Sequence, residues 1–480
     1  MTETAVPKIT PDATAVSDLS RLHFVGIGGM GMHPVARVCA ERGYDVSGSD
    51  ARPSARLQSL TRAGAQVMSG HRVENVPADA TALVFTHAVG DDNPEIERAR
   101  ELGIPVVHRS AVLNALMAGR TSVAVMGTHG KSSTAAMLAF TLARLGQEPS
   151  YVIGADLDGP GSGGHAGQGE LFVAEIDESD RTHVGVRMDV AVITNITYDH
   201  VENYADEDAY ITAFEQSVHI GLAEQGTLIL NADSAGCREL AARLERSGNS
   251  PKIVMVGTTD DVDWCLTTAS TAFGRSRAVL CGPDGTTLDL VLRMPGVHQL
   301  ANGAAATVAL HVLGQDYHQA VQQLRYFDGA RRRLTSAGET GDVRVIDSFA
   351  HHPGEVRADL AAARSILAPG GRVITVFQPS DQQRLNAFGD ELAEALSAGD
   401  LTMLTDSTRG LPTTALNTLS RQVSDAGGSA RQIPDRTEAA LYAAEAARPD
   451  DVIVLMGVGD IVESGPAVHA ALRAIAAVAA

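Results

Sequence analysis

The chain has 480 residues, too many for one ordinary core, so two to four domains are expected. Hydrophobic residues make up 44% and aromatics only 4%, with 47 glycines, a balance of aliphatic strands and glycine-rich turns that fits α/β architecture better than disorder. A formal net charge of -20 excludes a general nucleic-acid or anionic-membrane binder, because both need a positive footprint, and leaves room for a local cationic site.

Residues 1–20 are polar, carry Pro, Thr and Asp, and read as a disordered extension. With neither a signal-peptide pattern there nor a spanning helix elsewhere, a cytoplasmic protein is expected, with no membrane and no nucleic-acid partner. The four cysteines, at 39, 237, 265 and 281, show no C-x-x-C spacing, so neither a zinc site nor a disulfide framework is indicated.

A strand from Leu22 then runs into Gly26-x-Gly28-x-x-Gly31, and a second strand near Tyr44 ends at Asp50. This is a mononucleotide-binding pattern, with an acid placed to meet a ribose hydroxyl. The same turn accepts any diphosphate, so alone it also fits a nicotinamide cofactor. Strands at Ala82-Leu-Val-Phe-Thr86 and Ile104-Pro-Val-Val-His108, with a helix start at Asn93-Pro94, continue the αβ alternation, and a first domain ending near Arg120 follows.

The run Val123-Ala-Val-Met126 then meets Gly127-Thr-His-Gly-Lys-Ser132 and a helical pattern through Met137, Leu138 and Leu142. Such a turn closes backbone N–H groups on phosphate oxygens, Lys131 adds a point charge, and the Ser132 hydroxyl suits Mg2+. The plain alternative is a glycine-rich turn with an exposed lysine. Strands over Leu171–Ile176 and Val190–Thr194 end in Glu175, Asp177 and Glu178 and in Asn195, the latter running on to Asp199-His200. Functional groups of parallel sheets gather beyond the carboxyl ends of strands, so Glu175 and His200 are expected beside the phosphate turn, holding Mg2+ with nucleotide oxygens.

Residues 226–295 read as αβ and hairpin material with a turn at Gly282-Pro-Asp-Gly285. His298 and Asn302 share a helix face at i and i+4, where they could bracket a base or simply pack. After Arg331-Arg-Arg333, strands at Val343–Asp347, Arg372–Phe377, Leu401–Leu404 and Val452–Met456 alternate with helices, a second doubly wound sheet.

Taken together, Gly127-Thr-His-Gly-Lys-Ser132, Glu175-Ile-Asp-Glu-Ser-Asp180, Asn195-Ile-Thr-Tyr-Asp-His200, His298-x-x-x-Asn302, Arg332-Arg333, Ala350-His-His-Pro353 and Phe377-Gln-Pro379 resemble the Mur ligase family, over nearly the whole chain from Phe24 to Asp460. The resemblance implies three α/β domains: an N-terminal Rossmann-like UDP-sugar domain over 21–120, a central P-loop-like ATPase domain with mixed sheet over 121–326, and a C-terminal Rossmann-like amino-acid domain over 327–480. It implies ATP and Mg2+ as cofactors, and an amide ligase, monomeric or homodimeric, that joins L-alanine to the carboxylate of UDP-N-acetylmuramate in cytoplasmic peptidoglycan precursor synthesis. Lys131, Glu175, His200 and Arg333 would be catalytic. ATP would be held by Gly127, Thr128, His129, Gly130, Lys131, Ser132, Ser133, His298, Asn302, Arg333 and Asp347, and Mg2+ by Ser132, Glu175 and His200. Gly28, Gly29, Gly31, Asp50, His108, Arg109 and Asn195 would serve the UDP-sugar, and Phe349, His351 and Arg384 the amino acid.

The chain departs from the family pattern at His33-Pro34, Thr86-His87-Ala88, Asp347-Ser348-Phe349 and Ser380-Asp381-Gln382-Gln383. These changes touch both substrate ends and spare the phosphate turn. They motivate the alternative of a paralogue in specialised metabolism that uses another amino acid or acceptor. A nicotinamide oxidoreductase leaves Gly127 to Ser132 unexplained, and intact Lys131, Glu175 and His200 speak against a non-catalytic regulator.

Overall fold

The computed structural model describes residues 16–479 apart from 91, 158 and 273. Most of the extension expected over residues 1–20 lies outside them; Val16 and Leu19 pack against the apolar core. The first sheet is built from β1 (Arg21–Val25), β2 (Asp45–Asp50), β3 (Gln66–Ser69), β4 (Ala82–Phe85) and β5 (Val106–His108), all parallel, in the order β3-β2-β1-β4-β5. The chain reverses direction across the sheet beside β1, so the turn after β1 stands at the crevice where such sheets take ligands.

The second sheet contains β6 (Thr121–Met126), β7 (Ser150–Val152), β8 (Gly164–His165), β9 (Leu171–Glu175), β10 (Met188–Ile193), β11 (Leu222–Asn231) and β12 (Lys252–Gly257), in the order β12-β11-β10-β6-β9-β7-β8. Val123 to Met126 are fully buried, as a central parallel strand covered on both faces requires. Register does the positioning: Val125 lies opposite Glu175 on one side, and Met126 opposite Ile193 on the other. The carboxyl ends of β9, β6 and β10 therefore finish level, which puts Glu175, Gly127 and Asn195 side by side. The chain goes on through β13 (Trp264–Ala272), β14 (Arg275–Cys281) and β15 (Thr287–Leu292), with the expected turn at Gly282–Gly285 between the last two.

The third sheet has β16 (Arg333–Thr340), β17 (Val343–Ser348), β18 (Val373–Gln378), β19 (Leu401–Leu404), β20 (Ala430–Gln432) and β21 (Val452–Gly457) in the order β16-β17-β21-β18-β19-β20; only β16 pairs antiparallel. The three sheets with their helices realise the expected α/β class.

Contacts divide the chain into two compact units: residues to Thr267 with Leu280–Leu288 and Ala301–Leu324, and Thr268–Val279 with Asp289–Leu300 and the chain from Arg325. In the first unit one apolar cluster runs from Leu22 to Leu244, so the first two sheets share a core across the boundary expected near residue 120. The helix His33–Glu41 helps to tie them, with Glu41 accepting from Ala166 N at 2.8 Å.

Candidate active site

The phosphate turn is held from the next strand. Gly127 has φ +121°, and a Cβ there would stand 2.4 Å from Thr194 Oγ1, so only glycine fits. Thr128 N donates to Asn195 O at 3.0 Å, and Thr128 Oγ1 to Thr197 O at 2.9 Å. The Asn195 carboxamide closes a two-point clamp on His129, accepting from its N–H at 3.1 Å and donating to its carbonyl at 2.7 Å. Asn195 was expected at the UDP-sugar end; its amide is instead spent on the phosphate turn. Gly130 then caps the helix Lys131–Arg144, whose first turn buries Ser132 and Ser133.

Lys131 is folded back over the turn: Nζ donates to Gly127 O at 2.6 Å and Thr128 O at 3.1 Å, and lies 2.7 Å from the Glu178 carboxylate. Burial opposes its charge, but Glu178, Asp177 and Glu175 raise its pKa above the ordinary lysine value. Ser132 Oγ donates to Glu175 Oε1 at 2.8 Å, while Glu175 Oε2 accepts from Gly154 N at 2.6 Å. Glu178 was named in the sequence without a role. It stands three places after Glu175 in the same acidic run, is 1% exposed, and has His200 Nε2 at 3.5 Å as well as Lys131.

His200 sits at φ +54° with Glu202 at 3.1 Å from Nδ1. Burial would neutralise it, yet hydrogen bonds to Glu178 and Glu202 push its pKa up to about 10. Its Nε2 thus faces the same buried carboxylate as Lys131. Ser132 and Glu175 supply a hydroxyl and a carboxylate of the hard-oxygen kind that Mg2+ takes together with water and phosphate oxygens. Among the described residues no group of three His, Cys, Asp or Glu is spaced to hold a metal.

At the first glycine turn, the N–H groups of Gly26 and Ile27 donate to Ser49 O, and Gly28 N donates to Asp50 Oδ2 at 2.9 Å. Asp50, expected on a ribose, thus holds Gly28, while Gly29 N closes the turn on Gly26 O at 3.0 Å. Gly31 lies so close to Arg109 that a Cβ there would be 1.5 Å from Nη1. Arg109 and His108, at the end of β5, turn toward the acidic run after β9. The Arg109 guanidinium pairs with Asp177 at 3.2 Å and Asp180 at 2.9 Å, and His108 Nε2 lies 3.4 Å from Asp180. Despite burial, Arg109 and its neighbours hold both aspartates below the usual carboxylate range. The acidic run Asp177 to Asp180 is therefore shared, with Lys131 on Glu178 and Arg109, packed against Gly31, on Asp177 and Asp180. Sequence reasoning noted Asp177 without a role.

Asn302, on the helix Val297–Val312, is buried against the phosphate turn: a Cβ on Gly130 would meet its Oδ1 at 2.5 Å. His298, on the same helix, lies in the second unit with Nε2 3.5 Å from Asp359 Oδ1, and burial pushes its pKa down to about 4.

In the second unit, Arg333 begins β16, and both its guanidinium (5.1 Å) and that of Arg332 (4.8 Å) stand over the Phe349 ring. His351 Nδ1 bonds to Phe349 O at 3.0 Å. Asp347 Oδ1 is buried without a hydrogen-bond partner, and desolvation raises this carboxyl to about 6. Arg384 lies in the first turn of the helix Gln382–Leu396, its N–H accepted by Asp381 Oδ1 at 3.0 Å. Asp381, within the departing stretch Ser380 to Gln383, is the cap of that helix.

Models of three Mur ligase domains match the chain: the Mur ligase family catalytic domain over residues 21–121, the middle domain over 125–310, and the glutamate ligase domain over 332–459. A UDP-N-acetylmuramate–L-alanine ligase of Streptomyces avermitilis is 41% identical over 452 residues, covering 93% of this chain and 96% of the relative. One from Mycobacterium avium is 38% identical, covering 95% and 96%. Among solved structures, the UDP-N-acetylmuramate-alanine ligase of Thermotoga maritima superposes with a TM-score of 0.79 at 27% identity, covering 95% of this chain and 99% of that one.

Proposed function

The chain belongs to the Mur ligase family, and on that premise we propose that it is an ATP-dependent, ADP-forming ligase joining L-alanine to the carboxylate of UDP-N-acetylmuramate in peptidoglycan precursor synthesis. The observation that carries this reading is the shared floor: Lys131, at the phosphate turn, and Arg109, after β5 and packed against Gly31 of the first glycine turn, pair with the same acidic run. One turn suits a nucleoside triphosphate and the other a nucleotide that brings a carboxylate.

The chemistry asks for positioning and charge neutralisation more than for a protein nucleophile. A carboxylate oxygen of the sugar attacks the γ-phosphorus, the β–γ bridging bond breaks, and ADP leaves. The amino-acid nitrogen then attacks the acyl carbon, loses a proton, and inorganic phosphate departs. Gly127, Thr128, His129, Gly130, Ser132 and Ser133 cradle the triphosphate, and Lys131 neutralises the transferred group. Ser132, Glu175 and His200 would hold Mg2+, which supplies further neutralisation of phosphate charge. Gly28, Gly29, Gly31, His108 and Arg109 serve the UDP-sugar. Arg333, Asp347, Asn302 and His298 complete the ATP side, and Phe349, His351 and Arg384 the amino-acid side. The division of labour is 21–120 for the sugar nucleotide, 121–326 for ATP and 327–480 for the amino acid. No helix among the described residues is long and apolar enough to cross a membrane, and we place the reaction in the cytoplasm. A single chain supplies every residue named, so monomer and homodimer serve the mechanism equally.

The test is phosphate release with UDP-N-acetylmuramate and each of the twenty amino acids in turn. Turnover with L-alanine well above all others is expected; turnover with another amino acid alone refutes the substrate assignment. The paralogue reading loses Asp381, one of the departures that motivated it, to a helix cap, and the relatives of the chain carry the L-alanine ligase name.

A further inference from the structure

Glu95 lies outside every residue assigned so far and is fully buried at the start of the helix Pro94–Glu101. A buried acid normally needs partners to stay charged, and this one has four. Oε1 accepts from Arg72 N at 3.0 Å and Asn75 Nδ2 at 2.6 Å; Oε2 accepts from Ser49 Oγ at 2.5 Å and faces His23 Nε2 at 3.3 Å. Those bonds outweigh desolvation and hold the carboxyl at about 2, so it is a charged acceptor throughout the working range.

A hydroxyl has one proton to give, and Ser49 gives it to Glu95. Its oxygen therefore faces His71 Nδ1, 2.7 Å away, as an acceptor. That fixes the His71 proton on Nδ1 and leaves the lone pair on Nε2. His71 follows β3 by two residues, its side chain is 24% exposed, and Glu95 Oε2 stands 3.8 Å behind it. The same Ser49 accepts the Gly26 and Ile27 N–H groups through its carbonyl, so the relay and the first glycine turn are built on one residue. A purely structural network would close on itself inside the core. This one ends on a half-exposed imidazole at the carboxyl edge of the sheet, where ligands of such sheets sit.

We propose that Glu95 is a positioning residue for the sugar nucleotide: acting through Ser49, it holds His71 in the Nδ1–H tautomer, so that Nε2 accepts a hydrogen bond from a neutral donor of the nucleoside, a ribose hydroxyl or the uracil imide N–H. This rests on the reading of the first glycine turn as a UDP-sugar site. Phosphate oxygens carry no proton to donate, so the relay selects the nucleoside end and not the diphosphate.

The test compares wild type with Ser49→Ala, His71→Ala and Glu95→Gln, and reads KM for UDP-N-acetylmuramate, KM for ATP, kcat, and the ring 15N shifts of His71. Ser49→Ala and His71→Ala should raise KM for the UDP-sugar about tenfold, the worth of one good hydrogen bond, with KM for ATP and kcat within about twofold. In wild type the His71 ring should carry a proton on Nδ1, free and with UDP-N-acetylmuramate bound; in Ser49→Ala the Nε2–H tautomer should gain. Glu95→Gln sets an amide N–H against two donors and should act like Ser49→Ala; should it fail to fold, the other two variants carry the test. Wild-type KM for the UDP-sugar in both, or an imidazolium in the complex, overturns the inference. Calorimetry separates this from failure of the parent reading: a wild type that binds no UDP-N-acetylmuramate sinks both, whereas equal binding by wild type, Ser49→Ala and His71→Ala sinks the relay alone.

Discussion

Replacing Asn195 with alanine separates two roles for one side chain. The sequence motif suggested the UDP-sugar end; the structure spends the amide on His129, as acceptor at 3.1 Å and donor at 2.7 Å. The His129 carbonyl keeps a second donor in Thr194 Oγ1 at 2.5 Å. Truncation therefore removes both bonds of the clamp, one of them backed by Thr194, a loss on the order of 1–3 kcal/mol. If the turn must be reordered by the incoming triphosphate, that energy appears as a rise of roughly five- to 150-fold in KM for ATP. Initial rates of ADP formation, with each substrate varied in turn, read the split directly. A rise of that size in KM for the UDP-sugar, with KM for ATP unchanged, would refute the clamp and return Asn195 to the sugar.

Lys131→Ala should lower kcat by about 10²- to 10³-fold or more through loss of charge at the transferred phosphoryl group. It should also lower the melting temperature, because Glu178, 1% exposed, loses its nearest cation; phosphate release and a thermal melt check the two effects, and an unchanged melt refutes the buried pair. Gly31→Ala should drive the Arg109 guanidinium from its place, since the new Cβ would fall 1.5 Å from Nη1; calorimetry should show weaker UDP-sugar binding with ATP binding retained, and unaltered sugar affinity would place the nucleotide elsewhere. Burial raises Asp359 to about 7, well above its unfolded value, so the native state holds the extra proton and stability falls as pH rises from about 4 to about 7. Asp359→Asn should therefore gain on wild type in melting temperature between pH 5 and pH 8, and a pH-independent difference refutes the shift. Asp381→Ala should cost about 1 kcal/mol as a lost helix cap and leave KM for L-alanine within about threefold; a rise of tenfold would restore Asp381 to the amino-acid site.

The strands were legible because their burial is written as composition. Val123 to Met126 and Val452 to Met456 are continuous aliphatic runs, and both are central parallel strands. β16 escaped notice because it is an edge strand with polar residues along it, and edge strands carry no apolar signature. The phosphate turn was legible too, since glycine spacing and a Lys-Ser pair state its chemistry locally. What could not be read was which polar side chains face a ligand and which serve the backbone. Asn195, Asp50 and Asp381 are all polar residues at element ends, and each is occupied by a neighbouring N–H. Capping and ligand binding ask for the same oxygen atoms, so residue type alone does not divide them. The role of Glu178 was missed for the converse reason: it depends on Lys131 and His200, brought to it only by the sheet register.

The same distinction governs the departures from the family motif. His33, in place of the usual serine, is buried under the helix Ala55–Arg62, bonded to Ser59 Oγ at 2.8 Å and Arg56 O at 3.1 Å, with burial pushing its pKa down to about 4. It is a neutral packing residue, and its neighbour Pro34 lies against Gly164 of β8, where a Cβ would be 2.3 Å from the proline carbonyl oxygen. Asp381 replaces a basic residue and caps a helix. Phe349 replaces a tyrosine, yet it keeps the ring face on which Arg332 and Arg333 rest, so what is lost is a hydroxyl and not the platform. Three changes that look in the sequence like a redesigned substrate site are thus, in the fold, one packing residue, one helix cap and one ring that has lost its hydroxyl. A motif departure argues for new specificity only where its side chain is free to meet a substrate, and of these three positions Phe349 alone, next to His351 and the unpaired Asp347 carboxylate oxygen, meets that condition.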